Sequence, residues 1–318
     1  MRDNPWKGLP PGSPGTLSVL RVPGLARIEA FWGRKPDGRL ALLIALHRVE
    51  DVPVELPTVK GVELLVVAED RRLQLVLEPA GDWEMFHALC LDLLSAADGG
   101  SDEATGLQLL VSRLLRWQKF LSKGTGKLLD EREVRGLIGE LLFLRDYLVS
   151  MVGTAAVECW QGPLGLPQDF VFDGRLVEVK TFAAGSDPSV RVTSAEQLTS
   201  GDVPLFVHLV CLVRQADGLT LPDLVDDLRR LLAASHAATE SFEDRLLTMG
   251  YVDLPEYRAM SYAVTSVADY VVRDGFPRLT TEQVPAGVKD VVYSICLADM
   301  RPFAVPAGAV TGTGGAQT

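Results

Sequence analysis

From Leu17 to Pro79 the apolar residues come in short runs, ARIEAFWG, RLALLIALH, VELLVVAE and RRLQLVLE, cut by turn signals such as Lys35-Pro36-Asp37-Gly38. Runs of this length, rich in branched side chains, predict a small antiparallel sheet. The spacing then lengthens. Trp83 to Ala97 reads as an amphipathic helix, and Thr105 to Leu121 carries Leu107, Leu110, Val111, Leu114, Leu115 and Phe120 at helical intervals. Asp98 to Ala104, with Gly99-Gly100, predicts the loop between them. A third helix over about Asp130 to Val149 opens with acids, as the positive end of a helix dipole favours.

Strand-like segments follow near Val157–Trp160, across Pro167–Lys180 and near Ser189–Val192. Thr193-Ser194-Ala195-Glu196-Gln197 reads as a helix start, with Ser194 and Gln197 spaced as a capping box. Pro204 to Arg214 is continuously apolar and predicts a strand buried on both faces. Leu221 to Leu247 is charge-laced and helical. SYAVTSVADYVV and VKDVVYSICLADM predict strands, and residues 1–15 and the last residues, AGAVTGTGGAQT, read as a Pro/Gly-rich leader and a flexible tail.

Within PQDFVFDGRLVEVK (167–180), Asp173-Gly174 predicts a two-residue type I′ turn. That turn sets Phe172 against Arg175, Val171 against Leu176, Phe170 against Val177 and Asp169 against Glu178. Alternation then puts Asp169, Val171, Leu176, Glu178 and Lys180 on one face, and Phe170, Phe172, Val177 and Val179 on a core-like other face. Opposed carboxylates destabilise a sheet unless positive charge lies between them. A divalent cation with Lys180 beside it would supply that charge; a solvent-exposed hairpin with ordinary surface pairs is the competing reading.

Composition narrows the class. The chain has 318 residues, is 47% hydrophobic and 23% charged, and carries a net charge of −11. No apolar run is long and uncharged enough to span a bilayer, and MRDNPWKGLPPGSPG lacks a signal-peptide core, so a cytoplasmic protein is expected. Four scattered cysteines and four scattered histidines form no CxxC, HxH or HExxH pattern, which argues against a zinc ribbon or disulfide framework. Gly124-Thr125-Gly126-Lys127 lacks the Ser/Thr and the first glycine of a phosphate loop. Trp32, Trp83, Trp117 and Trp160 stand at core-like positions. From Lys123 to Glu196 there are 8 Lys or Arg against 11 Asp or Glu, a poor balance for gripping phosphates alone.

Pro167-Gln168-Asp169 followed by Glu178-Val179-Lys180 on adjacent strands resembles the PD-(D/E)XK nuclease superfamily. GLIGELLFL (136–144), Trp160-Gln161-Gly162-Pro163, DFVF, VEVKT and Ser194–Leu198 extend the likeness, as do Asp269-Tyr270, Gly275–Leu279 and Val291–Tyr293. Together they look like a bacterial family of PD-(D/E)XK motif proteins catalogued as a domain of unknown function (4420). The resemblance implies an α/β, mixed α+β fold: a restriction-endonuclease-like core with a central mixed sheet flanked by helices. The expected divisions are an N-terminal β-rich domain at 1–97, the core at 98–215, a C-terminal α+β extension at 216–305 and a tail at 306–318. It also implies Mg²⁺-dependent hydrolysis of DNA phosphodiesters, with Mn²⁺ as a substitute, in a restriction or phage-defence system. Asp169 and Glu178 would hold the metal, with the Val179 carbonyl as a further ligand, and Lys180 would serve the attacking water. Glu140 matches a glutamate that in the superfamily often enters the site from this helix; a solvated helix edge is its alternative. Gln197 matches a glutamine after the motif, and the capping box explains it equally well. The acidic balance points to a protein partner or a homodimer for DNA grip. A nuclease-fold subunit that binds partners or DNA without cutting is the alternative function, and action on a different phosphate ester is a third.

Overall fold

The computed structural model describes residues 4–49, 56–79, 81–122, 129–183, 188–306 and 308–312. The chain divides into two compact units, residues 1–128 with 250–254, and residues 129–249 with 255–318.

In the first unit five strands form an antiparallel sheet in the order β1-β2-β3-β5-β4. They are β1 (Ser18–Arg21), β2 (Ala30–Arg34), β3 (Leu40–Ala45), β4 (Val62–Val67) and β5 (Arg72–Leu77). Helices α1 (Trp83–Asp98) and α2 (Glu103–Ser122) follow, α1 capped by the Asp82 side chain. The leader is anchored: Trp6 is buried, donates its indole N–H to the Ala41 carbonyl at 2.9 Å, and stacks on Phe86. The glycine loop at 123–128 lies outside the described residues.

The second unit is built on a mixed five-stranded sheet in the order β12-β10-β9-β7-β6. Helix α3 (Glu131–Phe143) is capped by a reciprocal Asp130–Glu133 box, then continues as a π-helical turn (Leu144–Leu148) into α4 (Val149–Val152). After α5 (Ala156–Cys159) come β6 (Phe170–Phe172), β7 (Arg175–Phe182) and β8 (Ser189–Val192). Strand β9 (Leu205–Thr220) leads into α6 (Leu221–Leu232) and α7 (His236–Thr248). Then follow β10 (Ser261–Val272), β11 (Tyr293–Cys296), α8 (Leu297–Met300) and β12 (Ala304–Val305). β7 runs parallel to β9, and β10 antiparallel to it.

The sheet is the middle layer. Against one face, Phe143 of α3 packs on Phe170, Phe172 and His208 at ring distances of 4.9, 6.1 and 4.8 Å. His208 is itself buried, with Nδ1 2.7 Å from Asp269 Oδ1 on the neighbouring strand. Against the other face, Leu205, Val207, Leu209, Tyr270 and Val272 meet the β8–β11 ribbon through Val190, Val192 and Ile295.

Several local expectations change. The segment expected as a strand near Val157–Trp160 is the short helix α5, with only Trp160 bridging to Phe170. The helix expected over 221–247 is two helices, because Ser235 caps a new one. Ser194 makes no capping bond, and Ala195–Leu198 forms a 3₁₀ turn rather than a longer helix. A cut at 97/98 separates α1 from α2, which the first unit keeps together, and a cut at 215/216 falls inside β9. The C-terminal stretch supplies β10 and β12 to the central sheet, so it is part of this core. At the tail, Val310 and Thr311 are buried, and Arg175 donates to the Val310 carbonyl at 3.2 Å.

Candidate active site

The hairpin forms where the Asp-Gly dipeptide places it. Asp173 and Gly174 take φ of 47° and 66°, the left-handed pair of a type I′ turn, and Phe172 faces Arg175, Val171 faces Leu176 and Phe170 faces Val177. The ladder stops there, one pair short of the expected Asp169–Glu178 match. Asp169 instead turns its carbonyl to the N–H groups of Gln161 and Gly162, at 2.8 and 3.0 Å. Its side chain crosses to β7, where Oδ2 accepts the Val179 N–H at 2.8 Å. In a strand one residue's N–H and C=O point to the same edge. The Val179 carbonyl therefore faces this edge, beyond the end of β6.

Glu178 and Lys180 lie on one face of β7 and meet at 2.5 Å. Glu178 is only 1% exposed, and its Oε2 is buried with no hydrogen-bond donor among the described residues. Glu140 enters from α3, buried, with Oε2 accepting the Trp160 indole N–H at 2.7 Å. The close seat of α3 on the sheet explains one of the two glycines beside it. A Cβ on Gly139 would stand 2.5 Å from Thr181 Cγ2, whereas one on Gly136 would meet nothing within 4 Å. Gly162 is constrained more mildly, since a Cβ there would come within a tight 3.0 Å of Asp169 Oδ1 and an ordinary 3.7 Å of Glu140 Oε2.

Gln197 comes from the 3₁₀ turn. Its Oε1 accepts from Lys180 Nζ at 3.2 Å, and from the Thr193 N–H and hydroxyl at 2.9 and 3.1 Å. The structure thus brings Glu140, Asp169, Glu178, Lys180 and Gln197 into one cluster, and gives Gln197 a partner other than a helix cap.

Three carboxylates share that cluster with one ammonium. Burial, then the charge of Asp169, pushes Glu140 well above the usual carboxylate range. Burial raises Asp169 to about 6 against the pull of Lys180 and the Val179 N–H. Burial and the neighbouring Asp169 charge raise Glu178 to about 8, against the pull of Lys180 and of the Asp169 N–H. Burial works against the Lys180 ammonium, but Glu178 and Asp169 together hold it above its ordinary value. Lys180 is therefore a cation at neutral pH, and without a cation in the cluster the raised carboxyls of Glu140 and Glu178 hold protons rather than stand as further negative charges beside Asp169.

The donor set suits a small hard cation, which takes one or two carboxylates and keeps water on its remaining positions. Glu178 Oε2 and Asp169 Oδ1 are the oxygens left for it, with the Val179 carbonyl on the same edge. Among the described residues, no group of three or more His, Cys, Asp or Glu side chains is placed to hold a metal ion, so the donors here are two carboxylates and a carbonyl.

Sequence reasoning missed the supports. Trp160 stands in the core, as its position suggests, but its indole N–H also holds Glu140. Arg245 of α7, 4% exposed, donates to the Trp160 carbonyl at 2.9 Å and pairs with Glu158 at 3.0 Å. Gln168 donates to three carbonyls of the Gln197 turn. Tyr293 lies near enough for Lys180, Arg278 and Glu178 to act on its phenol, which burial raises. Only Trp160 and Gln168 carried a signal, through their places beside Gly162-Pro163 and Asp169.

Among the described residues no helix is long and apolar enough to cross a membrane. Comparisons with curated proteins and with solved structures each returned no match. A family model does match, over residues 2–298, and the chain belongs to the family it describes, "Putative PD-(D/E)XK family member, (DUF4420)".

Proposed function

We infer that the protein is a Mg²⁺-dependent endonuclease acting on DNA phosphodiester bonds, as part of a bacterial restriction or phage-defence system. The observation that carries this reading is the buried, unpartnered oxygen of Glu178 beside Asp169 and Glu140, with the Lys180 ammonium on the same strand face. A structural ion pair has no use for an uncompensated carboxylate oxygen, which costs on the order of 1–3 kcal/mol or more when buried. Asp169, Glu178 and the Val179 carbonyl would hold the cation, with Glu140 completing the acidic wall. Bound there, the cation would act as a Lewis acid on a phosphate oxygen. Lys180 would stabilise negative charge developing on the phosphoryl oxygens and orient the attacking water by donating to it. Gln197 would keep the ammonium aimed along that edge. Mn²⁺, which accepts the same oxygen ligands, would substitute.

The net charge of −11 supports a second feature of this reading: a protein partner or a second copy of the chain supplies much of the DNA grip. The same charge favours the competing reading, a nuclease-fold subunit that does not cut. The test is supercoiled plasmid incubated with the purified chain and Mg²⁺, wild type beside Lys180→Ala. Nicking that needs the metal and disappears in the variant supports the enzyme. Equal nicking by both proteins would mean a contaminant and remove the proposal, and binding without nicking would favour the subunit.

A further inference from the structure

Gln168 stands between Pro167 and Asp169 and is 5% exposed. Its Nε2 lies 2.8 Å from the Glu196 carbonyl and 3.2 Å from those of Gln197 and Thr199. An amide nitrogen has two hydrogens, so three acceptors share them, and the whole donor capacity goes to one turn. Facing only carbonyls also fixes which end of the amide is nitrogen. The turn needs such a strut. Ser194 does not cap it, and four residues of 3₁₀ helix leave carbonyls without internal partners. Further ties are the Thr199 N–H to the Glu196 carbonyl at 3.1 Å, Thr199 Oγ1 to the Ala195 carbonyl at 2.9 Å, and Arg278 to the Leu198 carbonyl.

The turn delivers one side chain to the site. Gln197 Oε1 is saturated by three donors, two from Thr193 and one from Lys180 Nζ. We propose that Gln168 is a positioning residue for Lys180: by gripping the 196–199 carbonyls it sets Gln197 against the ammonium. The chain at 168–169 then does two jobs with adjacent side chains, Asp169 facing β7 and Gln168 holding the turn on which the lysine leans. A purely structural role would predict the same hydrogen bonds, so the test must read Lys180 itself.

Gln168→Met keeps the length and volume of the side chain and removes its donors. The readout is the Lys180 side-chain NMR signal at one pH in cation-free protein, with thermal unfolding alongside. The expected result is that Gln168→Met moves the signal in the same direction as Gln197→Ala. The double variant should move it no further than Gln197→Ala alone, because both act through one path. An unmoved Lys180 signal in Gln168→Met overturns the proposal, even if the melting temperature falls, and so do additive shifts in the double variant. Should Gln168→Met fail to fold, Gln168→Asn keeps the amide one methylene shorter and carries the same comparison with a smaller shift. The catalytic meaning rests on the nuclease reading. There, losing one bond to a charged group predicts about a tenfold fall in kcat with KM unchanged. A Lys180 signal that moves in Gln168→Met, beside a wild type that cuts nothing, would support the positioning role and count against the nuclease.

Discussion

Replacing Glu178 by glutamine should stabilise the cation-free protein at alkaline pH, although it removes a residue central to the site. Glu178 is 1% exposed and its carboxyl is raised from an ordinary 4.5 to about 8. Between those values the folded chain holds a proton that the unfolded chain has released. Stability therefore falls as pH rises through this window, by about 1.4 kcal/mol per pH unit and on the order of 5 kcal/mol across it. A glutamine in its place would not titrate, so the wild-type curve should meet the variant's near pH 5 and drop below it toward pH 8.5. In the variant Lys180 keeps an amide oxygen as acceptor but loses the charge of its 2.5 Å partner, which returns part of the gain and leaves about 2–4 kcal/mol. For a unit of this size that is roughly 5–15 °C in melting temperature. The assay is thermal unfolding by circular dichroism from pH 5 to 9 in chelator, for Glu178→Gln and wild type together. Adding Mg²⁺ should then raise the wild type and narrow the gap, since a cation that binds only the native site stabilises by mass action. A flat difference across the pH range, or a variant less stable at pH 8.5, would refute the reasoning and leave Glu178 and Lys180 as a self-sufficient ion pair.

Two helix glycines should respond in opposite directions to alanine. Gly139→Ala drives a Cβ to 2.5 Å from Thr181 Cγ2 and should cost about 1–3 kcal/mol in denaturant unfolding, recovered in part by Thr181→Ser. Gly136→Ala, with nothing within 4 Å, should gain about 0.5–1 kcal/mol; a loss there would mean that α3 is seated differently. Trp160→Phe keeps the ring and removes the 2.7 Å bond to Glu140, with an expected loss of about 1–3 kcal/mol. Because that bond favours the ionised carboxylate, its loss should push the already raised Glu140 carboxyl further up, and an unmoved Glu140 titration would show that Glu140 does not depend on it.

Local signals carried the sequence reading a long way. Asp-Gly is strong turn chemistry, so the hairpin, its register through Phe170–Val177 and the shared face of Glu178 and Lys180 were all legible. Ser261–Val272 matches the predicted run residue for residue. The failures arise where local pattern serves two structures. Ala-Val-Glu-Cys alternates like a strand, yet its backbone closes into α5, so that Trp160 reaches Glu140 and Phe170. Ser194 and Gln197 have capping-box spacing, but Lys180 and Thr193 compete for the glutamine oxygen and take it. Asp169 leaves the ladder because Gln161 and Gly162 claim its carbonyl, and no pairing rule within the hairpin contains those residues. Arg245 and Tyr293 reach the site from separate segments, a proximity that exists only after folding.

The nuclease reading stands or falls on calorimetric titration of Mg²⁺ and of Mn²⁺ into the purified chain, wild type beside Asp169→Ala, with plasmid nicking read in the same buffer. The expected result is saturable metal binding and nicking by the wild type, both lost in the variant. A wild type that binds neither metal, or an Asp169→Ala protein that still binds metal and nicks, would contradict it.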